Sequence, residues 1–327
     1  MRAWLLVGGI LAGLGSAPLR AETIPVAGIY AAGTDAPSRA RSIAIAGFAG
    51  RGGERLAFAI DTALRGAVIE GRPWFDLTFA EPPRGSTYTY DRDADPAAYR
   101  GGADAVMRGI ADVEWRDTDS GTKEVEECVT RDDRGKCSEK KKINVPCRAR
   151  NVTLRPELRL VSREGELLYA KGDVLTTSRR FCKDEDGSPS VDSMVEELAR
   201  GFANAVRRDL APEFRDEEIR VLESRDGVTK PDQAIFRTAL RLTKTDVSEA
   251  CAVFGDLRAN NPSSVSILFN ISLCMERLGE LEAATQLYDE ALAISPRKAE
   301  PREGLARIAS RLRAKAQRQL HEDALSR

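Results

Sequence analysis

The sequence predicts an α+β protein: a secreted α/β domain with a long disulfide-bonded β-hairpin, followed by a small all-α helical-repeat domain. Three observations predict it. An apolar leader opens the chain. A strand–helix–strand pattern followed by alternating strands fills the middle. A 34-residue spacing from Pro262 to Pro296 marks the C-terminal part. The length of 327 residues fits two domains. The reading divides them as signal peptide 1–21, extended lead-in 22–40, α/β domain 41–212, linker 213–230 and helical domain 231–327 with a capping helix.

The leader carries Arg2, an apolar run from Ala3 to Ala17, and small residues before Glu22. That is the layout of a cleaved signal peptide, and the run is short for a membrane-spanning helix. No cysteine precedes Cys128, so an N-terminal lipid anchor is not expected. The chain has 50 basic and 51 acidic side chains; removing Arg2 and Arg20 leaves 48 against 51, a net of −3. Such a balance gives no footprint for nucleic acid. The expected location is the periplasm.

In the α/β domain, Ser42 to Phe48 reads as a buried strand and Gly50 to Gly53 as a turn. Leu56, Ile60, Leu64 and Val68 recur every four residues, a helix face ending at Gly71-Arg-Pro73. Trp74 to Phe79 begins a strand parallel to the first. The glycine turn lacks the Lys-Ser/Thr of a phosphate loop, and Arg55 occupies the third glycine place of a dinucleotide loop. Ala103 to Trp115 is extended. Val152, Leu154, Leu158 and Leu160 share one parity, and Leu167 to Phe181 returns across a turn at Glu164-Gly165. A helix then runs from Ser188-Pro189 to about Leu210.

Six cysteines in an exported chain read as disulfides. If Glu164-Gly165 is a two-residue turn, facing residues have numbers summing to 329. Cys147 and Cys182 meet that condition, which leaves Cys128 and Cys137 to close a charged loop. Four cysteines allow three pairings, so the geometry states a preference among them. Zinc is disfavoured by spacings of 9, 10 and 35 with no CxxC knuckle and no nearby histidine. The single histidine, His321, lies near the C-terminus, so no metal, cofactor or histidine-based catalytic set is expected.

In the helical domain Leu268, Ile271, Met275, Gly279, Leu281, Ala284, Tyr288, Ala291 and Pro296 follow a mechanical pattern. Gly279 turns the chain between two helices, small Ala284 lets them approach, and Pro296 stops the second. This 34-residue stretch resembles the tetratricopeptide repeat family, with Ser272 at a place the family usually fills with glycine. An earlier copy is anchored by Ala250, Phe254 and Pro262. The resemblance places the helices of Cys251 and Cys274 together, which implies a disulfide between them or two buried thiols. Leu305, Ile308 and Leu312 mark the capping helix.

The order Ile43–Phe79, Gly102-Ala-Asp-Ala-Val106, Gly109, hairpin and closing helix resembles the CsgG-type and TolB N-terminal-like envelope α/β domain. The resemblance implies an envelope assembly or scaffold role. Lacking the lipidated cysteine and carrying a charged hairpin, this chain departs from the secretion-pore members. The expected function is therefore a non-enzymatic periplasmic protein-binding or scaffold protein, its repeat module engaging another envelope protein or peptide segment. Alternatives are a carboxylate-based cell-wall enzyme seeded by Asp184, Glu185 and Asp186, or a CsgG-like secretion or assembly component.

Overall fold

The computed structural model describes residues 22–79, 102–185 and 187–324. The expected signal peptide, most of the polar loop after Phe79, and Asp186 lie outside the described residues. Within them the chain is mixed α/β, with three disulfides, and forms two compact units. A sheet unit holds residues 28–215 with 309 onward, and a helical unit holds residues up to 27 with 216–308. No described helix is long and apolar enough to cross a membrane.

The elements run in order. Strand β1 is Thr23–Tyr30, β2 is Ser42–Ile45, helix α1 is Gly53–Arg65, and short strands β3 (Val68–Ile69) and β4 (Arg72–Pro73) follow. Next come β5 (Asp76–Phe79), β6 (Ala105–Arg131), β7 (Cys137–Ser162), β8 (Leu167–Gly172), β9 (Leu175–Cys182), α2 (Val191–Leu210) and β10 (Glu213–Arg220). The remainder is helical: α3 (Gln233–Leu242), α4 (Val247–Arg258), α5 (Val265–Leu278), α6 (Leu281–Ile294) and α7 (Ala299–Asp323). The span expected as an extended lead-in thus holds β1 and a short 3-10 turn, and the span expected as a linker holds β10, which pairs with β1.

In the sheet unit the strand order is β5-β2-β6-β7-β8, with β9 also pairing β7. β2 runs parallel to β5 and β6, while β6, β7, β8 and β9 are antiparallel. Alternate residues Ile43, Ile45, Met107, Leu158 and Leu160 pack on α1 and α2, whose Leu56, Ile60, Leu64, Phe202, Val206 and Leu210 complete the core. Ser190 caps α2 by accepting from the Ser193 amide. The sequence periodicity carries α1 to Glu70, but the helix ends at Arg65 and Val68 is exposed on β3. The reason is local: Gly66 follows the helix, and Glu70-Gly71, both at positive φ, form the two-residue turn of the β3–β4 hairpin.

The largest difference from the sequence reading lies in β6 and β7. Residues 116–131 and 137–151 pair in one ladder, from Arg116↔Asn151 out to Arg131↔Cys137 with three register shifts, where the sequence assigned only a charged loop closed by Cys128 and Cys137. One face carries charges paired with charges, and the apolar residues Val125, Ile143 and Val145 on the other form only a short run beside Cys147, so the hydrophobic period is weak there. Beyond the Cys147↔Cys182 pair, where β9 ends, only two strands continue, forming an arm.

In the helical unit α3 through α6 pack consecutively around Phe236, Phe254, Phe269, Leu273 and Tyr288. Gly279 ends α5 at φ 82°, a left-handed conformation that glycine adopts without a Cβ clash. The fully buried Glu276 accepts from Arg307 at 3.0 and 2.8 Å and from the Tyr288 hydroxyl at 2.9 Å. This neutralises a carboxylate that would otherwise be costly to bury. α7 does not end as a cap on this unit: from Ala309 it belongs to the sheet unit. There Gln317, 1% exposed, bonds Ala32, Thr34 and Asp35.

Candidate functional site

Two places in the sheet unit can meet a partner. The first is a groove of about 1060 Å³ on α1 and α2, extending to the ends of β2 and β5. Phe58 and Phe79 line it at 69% and 61% exposure, although residues of their size are usually covered. Glu196, Arg200 and Asn204 recur at four-residue steps along α2 and give it a polar wall. Arg55 is held by Asp192 at 2.9 Å and by Glu196 at 3.8 Å. The exposed phenyl rings were not singled out in the sequence. Phe58 lies off the buried stripe of α1, and that offset was the available signal.

The glycine turn beside this groove is not a ligand cradle. The Ala49 and Gly52 amides donate to Gly109 and Ala111 of β6, and the Gly53 amide donates to Gly50. A Cβ on Gly53 would stand 2.2 Å from the Phe48 carbonyl oxygen. The glycines therefore serve close packing of the turn on β6.

The second place is the arm. At its base Arg150 donates to both oxygens of Asp117 at 2.8 and 2.7 Å, and lies 5.0 Å from the Trp115 ring and 5.4 Å from the Phe181 ring. Asp117 is held below the usual carboxylate range, first by the Arg150 hydrogen bonds. Farther out Glu126 faces Lys142 and Glu127 faces Lys141, with ion pairs Lys140–Glu126 at 2.9 Å and Lys142–Glu124 at 2.8 Å. The Lys140-Lys-Lys142 run thus lies along a charged ribbon.

The cysteines form three bonds: Cys128–Cys137, Cys147–Cys182 and Cys251–Cys274. The second lies directly across β7 and β9, where facing numbers sum to 329, among Val125, Ile143 and Val145. The third ties α4 to α5. Three disulfides place the chain in an oxidising compartment.

Asp184 and Glu185, the seeds of the enzymatic alternative, both hold the Lys123 ammonium at 3.1 Å. The Cys182 amide donates to Glu185 and, ahead of Lys123, lowers its pKa. Cys182, Asp184 and Glu185 bring potential ligand atoms within 4.8 Å. The donor set does not suit a cation: the sulfur is bonded to Cys147, and an ammonium already occupies the carboxylates.

Of the repeat residues, Leu268, Ile271, Leu281, Ala284, Tyr288 and Ala291 are buried between α5 and α6 or against their neighbours. Met275 is half-buried, Gly279 makes the turn, and Pro296 is exposed after α6.

No family model matches the chain, and no curated protein sequence matches it. Among solved structures, it is similar to a putative neuraminyllactose-binding hemagglutinin homolog from Helicobacter pylori. The identity is 8%, over 53% of this chain and 82% of that one, with a TM-score of 0.23. A likeness that slight carries no functional argument.

Proposed function

We propose that the chain is a non-catalytic protein-binding or scaffold protein of the periplasm, presenting its groove to another envelope protein or peptide segment. The observation that carries this reading is the pair of exposed rings, Phe58 and Phe79, in one large groove. Buried aromatic anchors dominate the energetics of protein contacts, and here two are available to a partner. The Lys123 ammonium holds Asp184 and Glu185, the two described seeds of the carboxylate alternative, which favours the binding reading. The charged faces of the arm oppose a lipid-facing role. We read α5 and α6 as a tetratricopeptide-like pair that adds a second protein-contact surface; burial of Ala284, Tyr288 and Ala291 and the Gly279 turn support this.

The test is site-specific photocrosslinking in cells from position 58, with position 174 as control, because Val174 is as exposed but outside the groove. A discrete protein adduct from position 58 that is lost in Phe79→Asp, with an unchanged melting temperature, is expected. Adducts identical from both positions, or none from position 58, would overturn the reading.

A further inference from the structure

The three disulfides occupy three different chemical settings. Cys147 and Cys182 are 1% and 4% exposed, in an apolar cluster. Cys274 is 1% exposed in the helical core, which closes one side of its bond to Cys251. Cys128 and Cys137 stand near the end of the arm, both partly exposed, on a ribbon with no third strand. The ladder shifts register between Cys128 and Arg131, so the backbone there is irregular as well as open.

The neighbours of this bond also differ. Across the ladder Cys128 faces Lys140, and Cys137 faces Arg131. Directly opposed residues project to the same face with Cβ atoms about 4.5–5.5 Å apart. Lys140 and Arg131 therefore stand across the ladder from the two cysteines, whose sulfurs lie 3.2 and 3.3 Å from the Thr130 and Glu139 carbonyl oxygens. Lys140 also pairs with Glu126, and Arg131 donates to the Gly135 carbonyl, so both remain at the tip. A nearby cation favours thiolate over thiol, and a better-stabilised thiolate leaves faster when a disulfide is attacked.

We propose that Cys128–Cys137 is a thiol–disulfide exchange site for a dithiol reductant or oxidant, chemically separate from two structural disulfides. This goes beyond the binding role and does not depend on the groove. In the reducing direction a thiolate of the dithiol attacks one of the two sulfurs. The Cys128–Cys137 bond breaks, its electron pair leaves on the other sulfur, and that thiolate takes a proton from water. The second thiolate of the reagent then displaces the first protein sulfur, which leaves with the electron pair of the mixed disulfide and likewise takes a proton from water. Two protein thiols result, and the dithiol becomes an intramolecular disulfide. The oxidising direction is the reverse, with a disulfide reagent. Reduction frees the tip, while Cys147–Cys182 holds the arm's base to β9.

The experiment treats the full chain with dithiothreitol at neutral pH, quenches with an alkylating reagent at timed intervals, and maps the labelled peptides. Cys128 and Cys137 are expected to label about tenfold faster than any other cysteine. Simultaneous labelling of all six, or earlier opening of another pair, would overturn the proposal. Lys140→Gln combined with Arg131→Gln is expected to slow tip reduction about threefold and leave the other two bonds unchanged. An unchanged tip rate in that variant, with an unchanged circular dichroism spectrum, would remove the cation-assisted site. After selective reduction, amides of residues 124–143 should lose exchange protection while those of 148–154 keep it; loss along the whole arm counts against a separate tip.

Discussion

His321 lies 6% exposed, stacked on Trp74 at 4.0 Å with Phe75 edge-on at 6.1 Å. Its Nδ1 is 3.3 Å from the Ser38 carbonyl oxygen. Burial lowers its pKa, Arg41 acts in the same direction, and the Ser38 and Trp74 backbones and Asp76 act against it. Arg41 and Asp76 are paired with each other at 3.2 Å, so neither faces the ring as an isolated charge. The imidazole is therefore buried neutral. Its folded pKa is below its unfolded value of about 6.5, so its contribution is complete above that value and is lost as pH falls through it. The melting temperature of the sheet unit is expected to fall from pH 7.5 to 5.5 in the native chain and to stay nearly flat in His321→Gln. Because no second histidine exists, one proton resonance in an NMR titration reads its pKa directly. A value at or above 6.5 would contradict the burial argument. The sequence placed His321 on a helix but could not show what that helix packs against.

Among the elements, β7 carries the most constraint, since β6, β8 and β9 all pair with it. Its register with β9 places Cys147 opposite Cys182 at a Cα separation of 4.0 Å, closing a segment with a sequence separation of 35. Replacing both by serine should destabilise the sheet unit by about 3–4 kcal/mol, from the loop-closure entropy returned to the unfolded chain. Denaturant unfolding compares the variants; a change below about 1 kcal/mol would mean that the ladder alone holds the register. The inner half of β7 was legible because Val152, Leu154, Leu158 and Leu160 alternate and turn at Gly165. The outer half was not, because Glu124, Glu126, Lys140 and Lys142 satisfy one another across one face of the ribbon, and Val125, Ile143 and Val145 make only a short apolar run on the other. Likewise Val68 continued the period of α1, yet Gly66 and the Glu70-Gly71 turn ended the helix earlier.

On the scale of the whole molecule, the last helix decides what belongs together. Residues 309–324 lie in the sheet unit, where Gln317 makes four hydrogen bonds, Arg313 pairs with Asp35, Arg318 pairs with Glu70, and His321 packs on Trp74. A chain ending at Ile308 should therefore lose stability in its sheet unit, because buried Trp74 and the Ala32 backbone lose their cover and partners. Calorimetry of the two chains checks this; an unchanged sheet-unit transition would refute it. The sequence alone determined the mixed α/β class, the strand–helix–strand start, the disulfide bonding that suits an oxidising compartment and the helix pair around Gly279. These depend on local period, turn chemistry and composition, which adjacent residues carry. The tertiary structure alone decided the charged arm, the exposed Phe58–Phe79 groove and the place of the last helix. Each depends on which distant surfaces meet, and one periodic face fits several partners until the folded core selects among them.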